Sequence, residues 1–398
     1  MRVLLNAISA KMGGAANYIR NIACELESLA PEDEFICVVP EEHVDTIRGL
    51  ARNFQVIGIP VSNQSYLRRL WFDQVTLRRM LRSERIDVLY STANLGMLAC
   101  PCRQVLLVRN MLYFSPAYEQ LLVTAGLKAR FENAMRRWLV CRSVKSADTV
   151  LTPSRAMLDA LLERCPAARG KAFVNPYGVR PPKARRATVK PLPQRGSAVT
   201  LLYTSLYAEH KNLGTLLRAL QELTKSGVEY RLLTPADPDW QGPGRTAAWQ
   251  RDSQTARDPE LSRHLEFTGV LDGEAIARLY ALADVFVYPS TIESFGHPLL
   301  EAMVAGLPVV AADAPINREL CADSAIYFSP HDATDCARQI QCVIEDSRLA
   351  NELIRRGVER SRGFQWREHG SHLIAVLANR DSGSSGTLST SSTRAKCY

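Results

Sequence analysis

The sequence predicts an α/β protein built as two doubly wound parallel units in tandem. Three observations carry this. Short apolar runs alternate with helical stretches along the chain, a pattern that places helices over parallel sheets. The alternation halts at residues 181–197, which hold four prolines and five Lys or Arg, and then restarts. At 398 residues the chain has room for two domains with sizeable cores.

In the first half, the runs Val3–Leu5, Phe35–Val39, Val56–Ile59, Asp87–Tyr90, Gln104–Val108 and Thr149–Thr152 are predicted strands. Helices are predicted over about Gly14–Ser28, Tyr66–Ser83, Tyr118–Ser146 and Ser154–Arg164. The second half opens with a strand at Val199–Tyr203. Further strands follow at Tyr230–Leu233, Leu265–Thr268, Asp284–Tyr288, Pro308–Ala311 and Ala325–Phe328. Its helices are predicted near Asn212–Lys225, Asp272–Leu282, Pro298–Ala305, Ala333–Glu345 and Leu349–Arg360. Trp366–Ala378 is expected to form a last amphipathic helix. The Ser/Thr/Gly-rich residues 381–398 hold too little apolar surface to order themselves, and a disordered tail is expected there.

Composition narrows the functional classes. No run reaches the eighteen or so apolar residues that span a bilayer. Met1–Asn6 enters a strand at once and does not resemble a signal peptide. The ten cysteines lack a zinc or redox spacing, Cys100-Pro-Cys102 included, and reduced thiols in a cytoplasmic protein are expected. The net charge of +8 is uneven: residues 1–180 carry 24 Lys+Arg against 16 Asp+Glu, and residues 198–398 carry 20 against 25. Arg68, Arg69, Arg78, Arg79 and Arg82 recur in one helical stretch, and Arg136, Arg137, Arg142 and Lys145 in another. Leu70, Trp71, Phe72, Trp138 and Leu139 interleave with them. Such segments suit either an anionic membrane surface or the solvated face of ordinary core helices.

The densest signal is Glu293-Ser-Phe-Gly-His-Pro-Leu-Leu-Glu301, which follows the strand at Asp284–Tyr288. Gly296 lets the backbone approach a ligand closely. Pro298 suits the first helical position. Ser294, Phe295, Gly296 and His297 are thus expected to turn free N–H groups and a positive dipole end toward a phosphate. Glu301, in the first turn, can accept hydrogen bonds from a ribose diol. Glu293, ahead of the helix, can face a second hydroxylated group beside the phosphate. The layout suits a nucleotide-sugar better than a free nucleotide. Two glutamates eight apart mean little alone; the strand, Phe-Gly turn, proline, Glu301-Ala-Met303 and Gly306-Leu-Pro-Val-Val310 give them context.

Other loops supply further candidates. Met12-Gly13-Gly14 joins the first strand to the first helix, where glycines serve either a tight turn or a ligand's close approach. It is not the Gly-x-Gly-x-x-Gly of dinucleotide sites. Lys211, in Thr204-Ser-Leu-Tyr-Ala-Glu-His-Lys-Asn212, stands at a helix start, unfavourable with the dipole unless an anion sits there. Arg109-Asn110 ends the strand over Gln104–Val108.

Together these runs resemble the retaining glycosyltransferases of GT-B fold, family 4 (glycosyl transferases group 1), over most of residues 1–380. The likeness is densest in 199–330. It implies two Rossmann-like domains facing across a cleft. Residues 1–178 form the acceptor side, 179–197 a linker, 198–362 the nucleotide-sugar domain, and 363–380 a helix crossing back. By the resemblance Glu293, Lys211 and Arg109 are catalytic. Gly13, Gly14, Asn110, Val270, Ser294, Phe295, Gly296, His297 and Glu301 bind the donor. Asn175-Pro-Tyr-Gly178-Val179 is similar to the hinge, and Leu265–Val270 to the strand and turn that meet the base.

Two departures stand out. Arg109-Asn110 replaces a common His-Asp. Ser205 occupies a position where many relatives carry arginine, leaving His210 or Arg109 to supply a cation. The resemblance implies a hexose moved from a nucleotide-sugar to a glycan or lipid-linked acceptor, with no metal and no cofactor. A cytoplasmic protein is expected, with peripheral contact at the inner face of an anionic membrane and no nucleic-acid partner. The alternatives are a degenerate nucleotide-sugar-binding partner or scaffold, and a sugar-nucleotide epimerase of the same fold.

Overall fold

The computed structural model describes residues 1–9, 14–60, 71–180, 197–239 and 246–379. Gly13, the basic pair Arg68 and Arg69, Leu70, residues 181–196 of the linker and the tail lie outside the described residues. Among those described, thirteen strands pair in parallel into two sheets. The first holds β1 (Arg2–Asn6), β2 (Glu34–Pro40), β3 (Phe54–Ile59), β4 (Val88–Ser91), β5 (Arg103–Leu107), β6 (Thr149–Thr152) and β7 (Ala172–Val174). Its order is β3-β2-β1-β4-β5-β6-β7. The second holds β8 (Val199–Leu202), β9 (Tyr230–Thr234), β10 (Leu265–Phe267), β11 (Val285–Tyr288), β12 (Val309–Ala312) and β13 (Ala325–Phe328). Its order is β10-β9-β8-β11-β12-β13.

Both sheets reverse their direction of winding, at β1/β4 and at β8/β11. In such folds the loops at the carboxyl ends of the strands flanking the reversal form a crevice. The central strands are apolar almost throughout because helices cover both faces: β4, β8, β11 and β12 are buried at every residue.

The helices of seven residues or more among those described are α1 (Gly14–Leu29), α2 (Leu77–Ser83), α3 (Pro116–Ala125), α4 (Leu127–Ser146), α5 (Arg155–Arg164), α6 (Leu213–Lys225), α7 (Ala247–Ala256), α8 (Gly273–Leu282), α9 (His297–Val304), α10 (Pro315–Cys321), α11 (Ala333–Glu345), α12 (Ser347–Ser361) and α13 (Trp366–Leu377). Polar side chains cap several starts. Ser154 accepts from the Met157 amide, Asp272 from Ala275 and Asp332 from Asp335. The helix predicted over 118–146 is in fact two. Gly126, at φ +95°, turns the chain between α3 and α4. Before α2, residues Phe72–Thr76 form a π-helical turn. Strand β7 and helices α7 and α10 were not predicted.

After the second sheet the chain returns to the first. Helix α13 packs along α1. Arg103 donates to the carbonyls of Val376 and Leu377 at 2.6 and 2.9 Å, satisfying groups at the end of α13. At the hinge a Cβ on Gly178 would lie 2.1 Å from the Trp366 amide nitrogen, so only glycine permits this crossing.

Candidate active site

The loops that leave β8 and β11 converge at the reversal of the second sheet. Phe286 of β11 pairs with Leu202 of β8, so the two strands end side by side. The first loop carries Lys211, the second Glu293. Lys211 Nζ donates to Glu293 Oε1, and the side chains are 22% and 14% exposed. The same oxygen accepts from Tyr288 Oη at 2.7 Å and from Ser290 Oγ at 2.8 Å. Burial alone would raise this carboxyl's pKa. The Lys211 charge and the three donated hydrogen bonds outweigh it and hold the carboxyl below its ordinary range. Tyr288 is itself pushed well up by burial and by Glu293, so it remains a donor.

Local backbone contacts fix the two loops to each other. Asn212, in the left-handed conformation at φ 57°, donates from Nδ2 to the Pro289 carbonyl at 3.1 Å. The Thr291 amide donates to the His210 carbonyl at 3.2 Å. Asn317 Nδ2 donates to the carbonyls of Ser290 and Ala312 at 3.0 and 2.9 Å.

Helix α9 starts one residue before Pro298, at His297, with Gly296 as its cap at φ +91° and Pro298 in the first turn. Among the described residues, the amides of Ser294, Phe295 and Gly296 make no hydrogen bond to the protein. They precede a helix whose Leu299, Leu300, Ala302 and Met303 are all buried. Each large apolar side chain among these stabilises the anchor by about 1.5–3 kcal/mol. Glu301 accepts from Tyr280 Oη at 2.9 Å through Oε2. Burial raises its pKa, only partly offset by that hydrogen bond.

The first domain faces this apparatus with Arg109, just past β5. Its guanidinium carbon lies 5.6 Å from the ring centre of Tyr18 and 5.7 Å from that of Tyr177. Among the described residues Arg109 has no carboxylate partner. Tyr177 stacks on His297 at 5.2 Å and 14°, and meets Phe295 edge-on at 5.0 Å. Burial, then the Arg109 charge, lowers His297 to about 4, so its ring is neutral at pH 7. His210, the other cation candidate, is also lowered to about 4, by burial and by Lys211. His210 therefore cannot replace an arginine at neutral pH. Ser205 itself is buried.

The remaining expected residues divide. Asn110 caps the turn at Met111–Tyr113, accepting from the Leu112 amide at 3.1 Å, so its Oδ1 has a local task. Val270 is 71% exposed, past the edge strand β10. Gly14 opens α1; Gly13 lies outside the described residues. Among the described residues no group of three or more His, Cys, Asp or Glu could hold a metal. No helix among them is long and apolar enough to cross a membrane. Tyr18, Tyr177, Tyr280, Tyr288 and Ser290 escaped the sequence reading. Their signal, aromatic residues at strand and hinge ends, is indistinguishable from core packing until the chain is folded.

Direct bonds also join the domains beside the site. Ser154 Oγ donates to the Ser294 carbonyl at 2.7 Å. Glu319 accepts the amides of Arg155 and Ala156, each at 2.7 Å, capping α5 from the opposite domain.

Comparison with known proteins agrees with this architecture. Residues 185–360 match the family described as "Glycosyl transferases group 1", and residues 12–182 match "Glycosyltransferase Family 4". The O-antigen chain mannosyltransferase B of Escherichia coli is 29% identical over 166 residues, 42% of this chain and 42% of the relative. That match spans less than half of the relative's length. The alpha-monoglucosyldiacylglycerol synthase of Streptococcus pneumoniae is 23% identical over 390 residues, 93% of this chain and 84% of the relative. Among solved structures, Anabaena HepE in complex with UDP-glucose superposes with a TM-score of 0.70 at 17% identity. It covers 95% of this chain and 100% of that one, a likeness of fold.

Proposed function

The chain belongs to the GT-B glycosyltransferases of family 4, and on that premise we propose that it moves a hexose from a nucleotide-sugar to a glycan or lipid-linked acceptor, with retention of configuration. The observation that carries this is the Lys211–Glu293 pair at the reversal of the second sheet. It stands beside the free amides that lead into α9, with Arg109 opposite. The diphosphate lies against those amides and Lys211, where an anion is stabilised. Glu293, kept ionised, accepts sugar hydroxyls. Glu301 accepts the ribose diol.

In this reading the bond between the anomeric carbon and the diphosphate oxygen breaks while the acceptor oxygen bonds to that carbon on the same face. The acceptor proton passes to the departing phosphate oxygen. The protein contributes positioning and stabilisation of the leaving charge. Lys211 and Arg109 supply the positive charge, so no divalent metal is required. The Anabaena complex with UDP-glucose supports a nucleotide-sugar donor, and the pneumococcal relative's name supports a lipid among the acceptors. A cytoplasmic location is part of this reading.

The test is a panel of nucleotide-sugars scored first by the rise in melting temperature, because a ligand selective for the native state stabilises it. The best donor is then scored for nucleoside diphosphate release with lipid and glycan acceptors. Anomeric analysis of the product reads retention. Failure of every donor in the panel to release nucleoside diphosphate, or an epimerised donor without release, overturns the reading.

A further inference from the structure

Helix α4 buries one side and leaves the other bare. Asn133, Val140, Ser143 and Val144 face inward. Arg137 is held by Glu119. On the outer side Leu127, Phe131, Met135 and Trp138 are 79%, 65%, 45% and 60% exposed. At 3.6 residues per turn these four fall within about a quarter-turn of one another, forming a continuous apolar stripe. Val123, on α3 just before it, is 60% exposed. A stripe of this size on a soluble surface marks an interaction site.

The charges around the stripe indicate what covers it. Lys128 and Arg130 border its first half, and Arg142 and Lys145 lie at its far end, all exposed. The Arg142 guanidinium carbon lies 6.0 Å from the Trp138 ring centre. The acidic Glu132 lies off the stripe and pairs with Arg136 at 3.4 Å. A convex apolar ridge, a Trp near its end and basic side chains on its margins match a helix lying in the plane of an anionic lipid interface. A second copy of the same face would bring basic margins against each other.

The ridge is also tied to the cleft. Asn133 Nδ2 donates to the Leu112 carbonyl at 3.5 Å, and Arg137 Nη1 to the Tyr113 carbonyl at 3.5 Å. That turn directly follows Arg109 and Asn110. Tyr118 of α3 meets His210 of the second domain edge-on at 6.2 Å.

We propose that the outer face of α4, through Leu127, Phe131, Met135 and Trp138, docks this protein on an anionic bilayer and so brings a lipid-linked acceptor to the mouth of the cleft. Only the acceptor clause rests on the glycosyl-transfer reading. The sequence had put Trp138 among basic residues without deciding between membrane and core. Exposure now separates them: Trp71 and Trp138 are exposed, whereas Phe72 is buried.

The test is sedimentation of the full chain with phosphatidylcholine vesicles, with and without phosphatidylglycerol, at low and high salt. Binding to the phosphatidylglycerol vesicles that weakens with salt is expected. Phe131→Ser combined with Trp138→Ser should lower the partition coefficient about tenfold or more. Lys128→Glu combined with Arg142→Glu should remove the salt-sensitive part. All four side chains are exposed, so melting temperatures should stay near wild type. No binding by the wild type at low salt, or equal binding by the serine variant, overturns the proposal. So does a dimer in sedimentation velocity that the serine variant dissociates, without vesicle binding. Nucleoside diphosphate release from a soluble donor is read on the same samples. If release is absent but vesicles bind, the functional reading fails and the docking surface stands; release without vesicle binding is the converse.

Discussion

Lys211 and Glu293 are joined at the reversal of the second sheet, although 82 residues separate them in sequence. The pairing keeps the carboxylate charged where burial would neutralise it. Removing Lys211 leaves burial dominant, so the Glu293 pKa should rise. In the wild type its folded pKa lies below the unfolded one. Its stabilisation is therefore present above the unfolded value, about 4.3, and is lost as pH falls through the folded value. In Lys211→Ala the sign reverses, and stability is lost as pH rises through the raised value. The gap in melting temperature between wild type and Lys211→Ala should widen from pH 4 to pH 7. A gap independent of pH would show that the two groups do not set each other's charge.

Glu301 presents the opposite balance, a carboxyl raised by burial with one hydrogen bond from Tyr280. Its stabilisation is present below the unfolded pKa and is lost as pH rises through the folded one. Glu301→Gln should therefore melt at or above the wild-type temperature at neutral pH while binding nucleotide more weakly. The lost charge-assisted hydrogen bonds are worth about 1.5–3 kcal/mol. Calorimetry should also show wild-type binding weakening as pH falls through the raised pKa, with a flatter profile in the variant. Unchanged affinity in both Glu301→Gln and Glu301→Ala would remove Glu301 from the ribose site.

Glu319 caps a helix of the other domain, and its removal should be felt as stability. Glu319→Ala leaves the Arg155 and Ala156 amides without acceptors at a partly buried interface. Loss of such a cap costs about 1–2 kcal/mol, read as a lower urea midpoint with little change in slope. A midpoint equal to wild type would mean that water replaces the carboxylate without loss.

These pairings mark where the sequence ran out. The strand–loop–helix unit over residues 284–304 was legible because its signals are local: an apolar run, a glycine needing positive φ, a proline in the first turn. The break at Gly126 was local too, but a long run of helix formers on both sides concealed it. Lys211 could not be assigned to Glu293, because their meeting depends on two strands ending together; Tyr288 and Ser290 are near in sequence, but that they turn back onto Glu293 depends on the path of the loop. The sequence offers His210 beside Arg109 as a cation, and the burial that lowers His210 to about 4 is a property of the fold. The outer face of α4 lay between these cases, its residues in view and their exposure hidden.

Turnover should continue in excess EDTA. Lys211, Arg109 and the free amides before α9 supply the positive charge that a divalent ion would otherwise bring to a diphosphate. Loss of activity that magnesium or manganese restores would place a metal at the phosphate and reassign those two side chains.

Arg109 carries the sharpest prediction. It stands beside the rings of Tyr18 and Tyr177, whose centres are themselves 5.2 Å apart, and Tyr177 in turn stacks on His297 at the start of α9. With His210 and His297 both neutral at pH 7, Arg109 and Lys211 are, among the described residues, the cations placed to meet a leaving diphosphate. A guanidinium is planar and always charged, so it can rest against aromatic rings and still present a donor fork. Lysine keeps the charge but loses both the stacking and the fork. Arg109→Lys should therefore fall well short of wild type, and Arg109→Ala further. The loss should appear more in kcat than in donor affinity, because charge on the leaving group peaks in the transition state. Tyr177→Leu should give a milder version of the same pattern, since it removes a wall without removing the charge. Ser205→Arg should not rescue Arg109→Ala, because position 205 is buried, 8% exposed, and a guanidinium there would have to be desolvated. Steady-state kinetics with the donor that most raises the melting temperature decides the matter. Near wild-type kcat in both Arg109 variants would show that the charge opposing Glu293 comes from Lys211 alone.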